Sequence, residues 1–270
     1  MDRPGERGFL TDRMAVNAIT GLPLTMLVLA SGFFLTFYAT GILGAASPNW
    51  MVRSDMTLAG VLADMRTPWL VGFFAIITAF GYWAVIFTLI AAASILLWLR
   101  GQSHCLVGLW IAVLGNQVTV TALKMLFRRA RPDLGLFDEH SFSFPSGHAA
   151  ISAAFFGFLV YLVVRQRIVS HGPAVLAGGL AILLVGTSRL VLGEHYLSDV
   201  LGGYLVGATW VVIGIWLTER RSDSNARSGA TDPWRRLAVY AVVLCTAIAL
   251  YFTVEIYVGN LLSAETASPE

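Results

Sequence analysis

Residues 173–217 read PAVLAGGLAILLVGTSRLVLGEHYLSDVLGGYLVGATWVVIGIWL. Two apolar runs, Pro173–Leu192 and Val200–Leu217, each approach the length of about 20 residues that carries a helix across a bilayer. Around their junction stand Arg189, Glu194, His195 and Asp199. Apolar run, polar turn and apolar run make a membrane helical hairpin with its charges gathered at one end. Ionisable groups are costly beside hydrocarbon, so that placement marks a functional site.

Working outward, the same pattern recurs. Further apolar spans are Asn17–Leu43, Ala75–Leu99, Cys105–Phe127, Ala149–Val164 and Leu237–Val258, seven in all. The chain is 57% hydrophobic and 13% charged, with mean hydropathy +0.72; a soluble domain carries about 25% charged residues. An all-α, polytopic membrane helical bundle follows. No charge interrupts Trp69–Leu99, which would reach about 46 Å as one helix, too long for a straight crossing. A short interfacial helix near Pro68–Thr78, a break around Gly81 and one crossing are expected instead. The loop Ser47–Thr67, with Arg53, Asp55, Asp64 and Arg66, is expected on the membrane surface. The first apolar run exceeds the core of about 7–15 residues of a cleaved signal peptide, so it reads as a span.

Charge sets the orientation. Arg100, Arg165, Arg167, Arg220, Arg221, Arg227, Arg235 and Arg236 share one side with Arg3, Arg7 and Arg13. The positive-inside rule puts that side and the amino-terminus in the cytoplasm. The charged junction then faces outside, the periplasm if this is a bacterial inner membrane. Residues 1–218 form the membrane-embedded bundle, 219–236 a polar cytoplasmic linker, and 237–270 an extra helix with a short outside tail. The net charge of +2 and the lack of a basic tail speak against nucleic acid as a partner. Cys105 and Cys245 read as small buried hydrophobes, and no spacing suits zinc or magnesium. Gly203 and Gly207 allow close helix packing, or simply belong to a glycine-rich membrane helix.

Three pieces of sequence meet at the outer end. In Lys124-Met-Leu-Phe-Arg-Arg-Ala-Arg131-Pro132, Lys124, Arg128 and Arg131 share a face if the helix continues, and Pro132 ends it at Arg131. Taken alone, these are equally well snorkelling terminal cations. In Phe144-Pro145-Ser146-Gly147-His148, Ser146 caps a helix whose first N–H groups make an anion site. His195 and Asp199, four apart, suit an imidazole–carboxylate hydrogen bond on one helical face, with Arg189 as a fork for phosphate oxygens.

Together these give Lys-x6-Arg-Pro, Pro-Ser-Gly-His and Ser-Arg-x5-His-x3-Asp. The set resembles the type 2 phosphatidic acid phosphatase (PAP2) family, which shares its phosphate site with vanadium haloperoxidases. The resemblance implies a six-helix core, to which Leu237–Val258 adds a seventh helix. It also implies a metal-independent lipid phosphatase without cofactor. His195 attacks phosphorus to give a phosphohistidine, Asp199 holds the ring, and His148 protonates the leaving oxygen. Lys124, Arg131, Ser146, Gly147 and Arg189 bind the phosphate. Arg128 and Glu194 match no defining position and are expected around the site or at the headgroup. The implied partner is a phosphorylated membrane lipid: undecaprenyl diphosphate first, then phosphatidic acid, phosphatidylglycerol phosphate or a lipid A phosphate. A lipid phosphotransferase using the same intermediate, or a phospholipid transporter, are the alternatives, and a soluble haloperoxidase is disfavoured by the spans. The residues set neither the lipid tail nor the oligomeric state.

Overall fold

The computed structural model describes residues 21–43, 50–137, 139–221 and 233–267, and among them are nine helices and no strand. They are α1 (Leu22–Leu43), α2 (Trp50–Asp64), α3 (Pro68–Ala79), α4 (Trp83–Leu99), α5 (Ser103–Phe127), α6 (Gly147–Arg165), α7 (His171–Val191), α8 (Leu197–Arg221) and α9 (Pro233–Ala267). Helices α5 to α9 are each long and apolar enough to cross a membrane, and α3 with α4, taken as one bent pair, has the length and composition of a sixth span. The first expected span is represented by α1, 22 residues without a charge; residues 17–20 lie outside the described residues.

The uncharged stretch breaks where its length demands. Thr67 caps α3, its hydroxyl accepting from the Leu70 N–H, with Pro68 in the first turn, where its missing N–H costs nothing. Residues 80–82 then turn the chain by 40° into α4. Glycine is needed here. A Cβ on Gly81 would lie 2.7 Å from Val185 Cγ1 and 2.9 Å from His148 Cδ2.

Two expectations are corrected. The segment before α3 is no surface loop: Trp50–Asp64 is helical, and Asp55 turns inward to 3% exposure because it has an arginine and a helix start to bind. The helix carrying Lys124 ends at Phe127, four residues before Arg131. Arg128 adopts a left-handed conformation (φ 44°) with its N–H on the Lys124 carbonyl, so Lys124, Arg128 and Arg131 share no helical face.

Helix α8 is the hub, packed on α1, α5 and α6. Its glycines allow the approach: a Cβ on Gly203 would sit 2.6 Å from the Ser146 carbonyl oxygen, and one on Gly207 2.5 Å from that of Ala150. Backbone-to-backbone packing of this kind is how membrane helices gain dispersion contact without a hydrophobic driving force. Away from the charged junction, Ile86, Ile90, Leu97, Cys105, Leu109, Phe155 and Phe158 fill the core. Cys105 is buried, whereas Cys245, expected to be buried, is exposed on α9; both are free thiols.

The polar linker is shorter than 219–236. Residues 219–221 complete α8, where Glu219 accepts from Tyr161 Oη (2.5 Å) and Arg165 Nε (3.0 Å), and 233–236 open α9. Residues 222–232 lie outside the described residues. From the end of the bundle opposite the site, α9 runs back along α4 and α3 to the site end.

Candidate active site

Four chain segments converge at one end of the bundle: the α3–α4 break, the connection 128–146, the start of α6 and the α7–α8 turn. That last turn is built by a helix stop. The Gly193 N–H bonds the Leu190 carbonyl and the Glu194 N–H the Arg189 carbonyl, both at 3.0 Å, with Gly193 at φ 76°. This double closure needs a left-handed residue after the helix, which glycine supplies without a Cβ clash. It fixes Arg189 in the last turn of α7 and His195 just before α8. Asp199, in the first turn of α8, accepts from the Tyr196 N–H at 2.9 Å, the carboxylate half of a capping box.

His195 therefore precedes the helix and does not share a helical face with Asp199. Its Nδ1 lies 3.5 Å from Asp199 Oδ2, and the hydroxyl of Ser143 sits beside the pair, within reach of both. Ser143 Oγ donates to Asp199 Oδ2 at 2.6 Å and is 3.3 Å from His195 Nδ1. With its proton committed to the carboxylate, Ser143 Oγ can only accept from the ring. That arrangement places the imidazole proton on Nδ1 and leaves Nε2 unprotonated. Its lone pair accepts from Arg131 Nη1 at 3.3 Å.

Behind the pair is a relay absent from the sequence reading. Arg129 donates to Asp199 Oδ1 at 2.6 Å, to Ser198 Oγ at 2.7 Å and to Asp55 Oδ2 at 2.8 Å. Its guanidinium lies over the Tyr196 ring, 4.2 Å from the centroid. Asp55 also accepts from Ser198 N at 3.0 Å and Ser198 Oγ at 2.5 Å, satisfying an orphan donor at the start of α8. Asp55, Arg129 and Ser143 carried no spacing signal, because each meets its partner only through the fold.

The expected phosphate ligands divide into two groups. Lys124, Arg131, Gly147, His148 and His195 line one cavity of about 880 Å³. Ser146, Arg189 and Asp199 are buried one layer behind its wall. Ser146 caps α6 as expected, accepting from the Ala149 N–H at 3.5 Å. His148 Nε2 and Arg189 Nε are buried without a hydrogen-bond partner among the described residues. Unpaired polar atoms of this kind cost about 1–3 kcal/mol each and are therefore prepared for something else to bind.

The cations are not idle. Glu139 bridges them, taking Arg189 Nη2 on Oε1 at 3.0 Å and Arg131 Nη2 on Oε2 at 3.2 Å. Arg189 also donates to Thr78 Oγ1 at 3.0 Å. Arg131 is further held by the Ser141 carbonyl (2.8 Å) and Ser141 Oγ (2.9 Å), and Lys124 Nζ by Ser141 Oγ and the Phe142 carbonyl. Glu194 accepts from the Phe137 N–H at 3.0 Å, with Oε2 at 3.6 Å from Arg131 and 3.7 Å from Arg189. It stands behind the site, while Arg128 is exposed outside it.

Electrostatics follow from this packing. Burial, then the charges of Arg131, Arg189 and Lys124, holds His195 well below the ordinary imidazole range. Burial alone would raise the Glu139 carboxyl, but Arg189 and Arg131 outweigh it and keep it below the usual carboxylate range. Burial raises Glu194 against the pull of Arg189. The site is thus a cluster of fixed cations around a neutral, oriented imidazole, with one ionised carboxylate across the guanidinium groups. Among the described residues no group of three or more His, Cys, Asp or Glu is arranged to hold a metal ion.

Residues 105–223 match the model of the PAP2 superfamily. Phosphatidylglycerophosphatase B of Bacillus subtilis is 32% identical over 182 residues, 65% of this chain and 86% of that protein. Lipid A 1-phosphatase of Rhizobium johnstonii is 32% identical over 111 residues, 37% of this chain and 42% of that one. In fold, the chain is similar to the crystal structure of a transmembrane PAP2 type phosphatidylglycerolphosphate phosphatase from Bacillus subtilis. The TM-score is 0.64 at 24% identity, covering 75% of this chain and 98% of that one.

Proposed function

The chain belongs to the PAP2 superfamily, and on that premise we propose that it is a membrane phosphatase that removes a terminal phosphate from a lipid through a phosphohistidine. The observation that carries the reading is the orientation of His195. Its Nδ1 faces Ser143 and Asp199, and its Nε2 is beside Arg131 on the cavity wall. A protein that only bound or carried phosphorylated lipids would need the cations but not an imidazole with a fixed tautomer.

The reaction runs in two steps. The Nε2 lone pair of His195 forms a bond to phosphorus as the bond from phosphorus to the lipid oxygen breaks. His148, across the same cavity, gives its proton to the leaving oxygen, releasing a lipid alcohol from a monoester or a lipid monophosphate from a diphosphate. Water then adds to phosphorus, its proton passes to His148, the N–P bond breaks and phosphate departs. Asp199, relayed through Ser143, stabilises the positive ring that forms. Lys124, Arg131, Arg189 and the Gly147 N–H hold the equatorial oxygens, with Ser146 fixing the start of α6. In phosphoryl transfer this charge stabilisation and positioning supply most of the catalysis. Arg131 and Arg189 reach the substrate by exchanging the Glu139 carboxylate for phosphate.

The arginines at helix ends remote from the site, Arg100, Arg165, Arg220 and Arg221, support a cytoplasmic placement of that end. The cavity then opens to the extracytoplasmic side, at headgroup depth. The test is phosphate release by the purified protein from phosphatidylglycerol phosphate, phosphatidic acid, undecaprenyl diphosphate and lipid A 1-phosphate, with His195→Ala as control. Release from at least one lipid, lost in the variant, is expected, together with an acid-labile, base-stable phosphoprotein in the native chain. Full activity of His195→Ala would refute the mechanism.

A further inference from the structure

The helix that the six-helix pattern does not explain reaches the site. The PAP2 model match ends at residue 223, before α9 begins. Yet Tyr257 and Leu261, four apart on one face of α9, line the same cavity as His148, His195, Lys124 and Arg131. The Tyr257 ring stacks on Tyr82 at the α3–α4 break, with centroids 4.1 Å apart and planes inclined by 21°. One turn on, Leu262 packs against the cluster of Val71, Phe74, Val191 and Leu192. Tyr257, Leu261 and Leu262 thus dock this end of α9 at the site, although the span Arg236–Ser263 as a whole buries little of its surface.

We infer that Tyr257 is a specificity-determining residue of this lipid phosphatase, forming with Tyr82 the aromatic wall along which the substrate's chain leaves the phosphate site. The inference rests on the phosphatase reading above and adds the part played by α9. Its chemistry is the mixed lining of one cavity. Lys124, Arg131 and the two histidines supply charge and proton-transfer groups, and Tyr82, Trp83, Tyr257 and Leu261 supply apolar and aromatic surface beside them. Beyond that surface the rim is apolar and uncovered: Trp83 is 71% exposed and Met125 61%. Helices α4 and α5 pack directly through Ile86–Leu97 and Cys105–Val113, but at their site ends Trp83, Gln117, Thr121 and Lys124 face the cavity instead. A phosphate held by the cations therefore has its ester oxygen directed between α4 and α5 toward hydrocarbon, and the first carbons of the chain lie against the stacked rings. Aromatic faces are well suited to this, presenting a large apolar area with few rotamers to freeze.

The experiment compares the lipid of the panel above that the native chain hydrolyses fastest, in mixed detergent micelles, with the water-soluble ester p-nitrophenyl phosphate, using the full chain. In Tyr257→Ala, the ratio of kcat/KM for the lipid to that for the soluble ester is expected to fall about tenfold, through KM for the lipid, and Tyr257→Phe is expected to restore it. Should Tyr257→Ala fail to accumulate in the membrane, Tyr257→Leu carries the same test with its bulk retained and its stacking lost. A ratio unchanged in the accumulating variant overturns the assignment. An equal fall for both substrates overturns it as well, since that is the mark of a merely structural role. Failure of the native chain to hydrolyse the soluble ester and every lipid of the panel above would instead refute the phosphatase reading itself.

Discussion

Asp55 offers the sharpest test of the site, because neither its spacing nor any motif marks it. It is 3% exposed on α2 and accepts hydrogen bonds from Arg129, the Ser198 N–H and the Ser198 hydroxyl. Asp55→Ala removes one of the two carboxylates that neutralise Arg129 and strands a donor at the start of α8. Breaking a buried ion pair costs about 3–5 kcal/mol. Here the lower end applies, since Arg129 keeps Asp199 at 2.6 Å and has 18% of its side chain exposed. A loss of about 3 kcal/mol is expected, read as a lower temperature of thermal inactivation in detergent. The catalytic effect has a separate cause. Freed from Asp55, the guanidinium charge falls on Asp199 alone, which weakens that carboxylate's hold on the imidazolium formed as His195 attacks. A group that acts through another in this way is expected to cost 10- to 100-fold in kcat, about 1.4–2.7 kcal/mol, with little change in KM. Asp55→Asn, which keeps an acceptor for Ser198 but not the charge, should recover much of the stability and little of the rate. Measured by phosphate release at saturating lipid, a kcat for Asp55→Ala within twofold of the native value would refute the relay.

Three further outcomes are expected. Glu139→Gln removes the internal anion from Arg131 and Arg189, so orthovanadate, which mimics five-coordinate phosphorus, should inhibit at roughly tenfold lower concentration; inhibition at the native concentration would show that Glu139 does not compete with substrate. For pH, the folded pKa of His195 lies below its unfolded value near 6.5, so its protonation favours the unfolded chain. Its contribution to stability is present above about pH 6.5 and is lost as pH falls through the depressed folded value. The acid limb of kcat/KM should accordingly lie below the ordinary imidazole range, and an acid limb at or above pH 6.5 would contradict the assignment of a neutral nucleophile. Finally, phosphate release should persist in excess EDTA, because fixed cations stand where kinases use magnesium; complete loss on chelation, restored by magnesium, would contradict this.

The sequence alone determined the class of fold and most of the residues that gather at the site. Apolar run lengths are set by bilayer thickness, so the spans, the break near Gly81 and the hairpin of α7 and α8 could be read locally. The helix cap at Ser146 and the clustering of cations with two histidines were legible for the same reason, since each depends on neighbours in the chain or on the cost of charge near lipid. What only the tertiary structure decided was who pairs with whom. Asp55 reaches Arg129 and Ser198 across 74 and 143 positions, Ser143 touches both His195 and Asp199, and Glu139 spans two arginines brought together from separate segments. The early end of α5 at Phe127 belongs here too, because Arg129 and Arg131 gain partners outside the helix that a further turn would deny them. The docking of α9 beside the site likewise has no local signature. A membrane helix shows its length in its composition, but the face it turns toward a neighbour depends on shapes that exist only once both are in place.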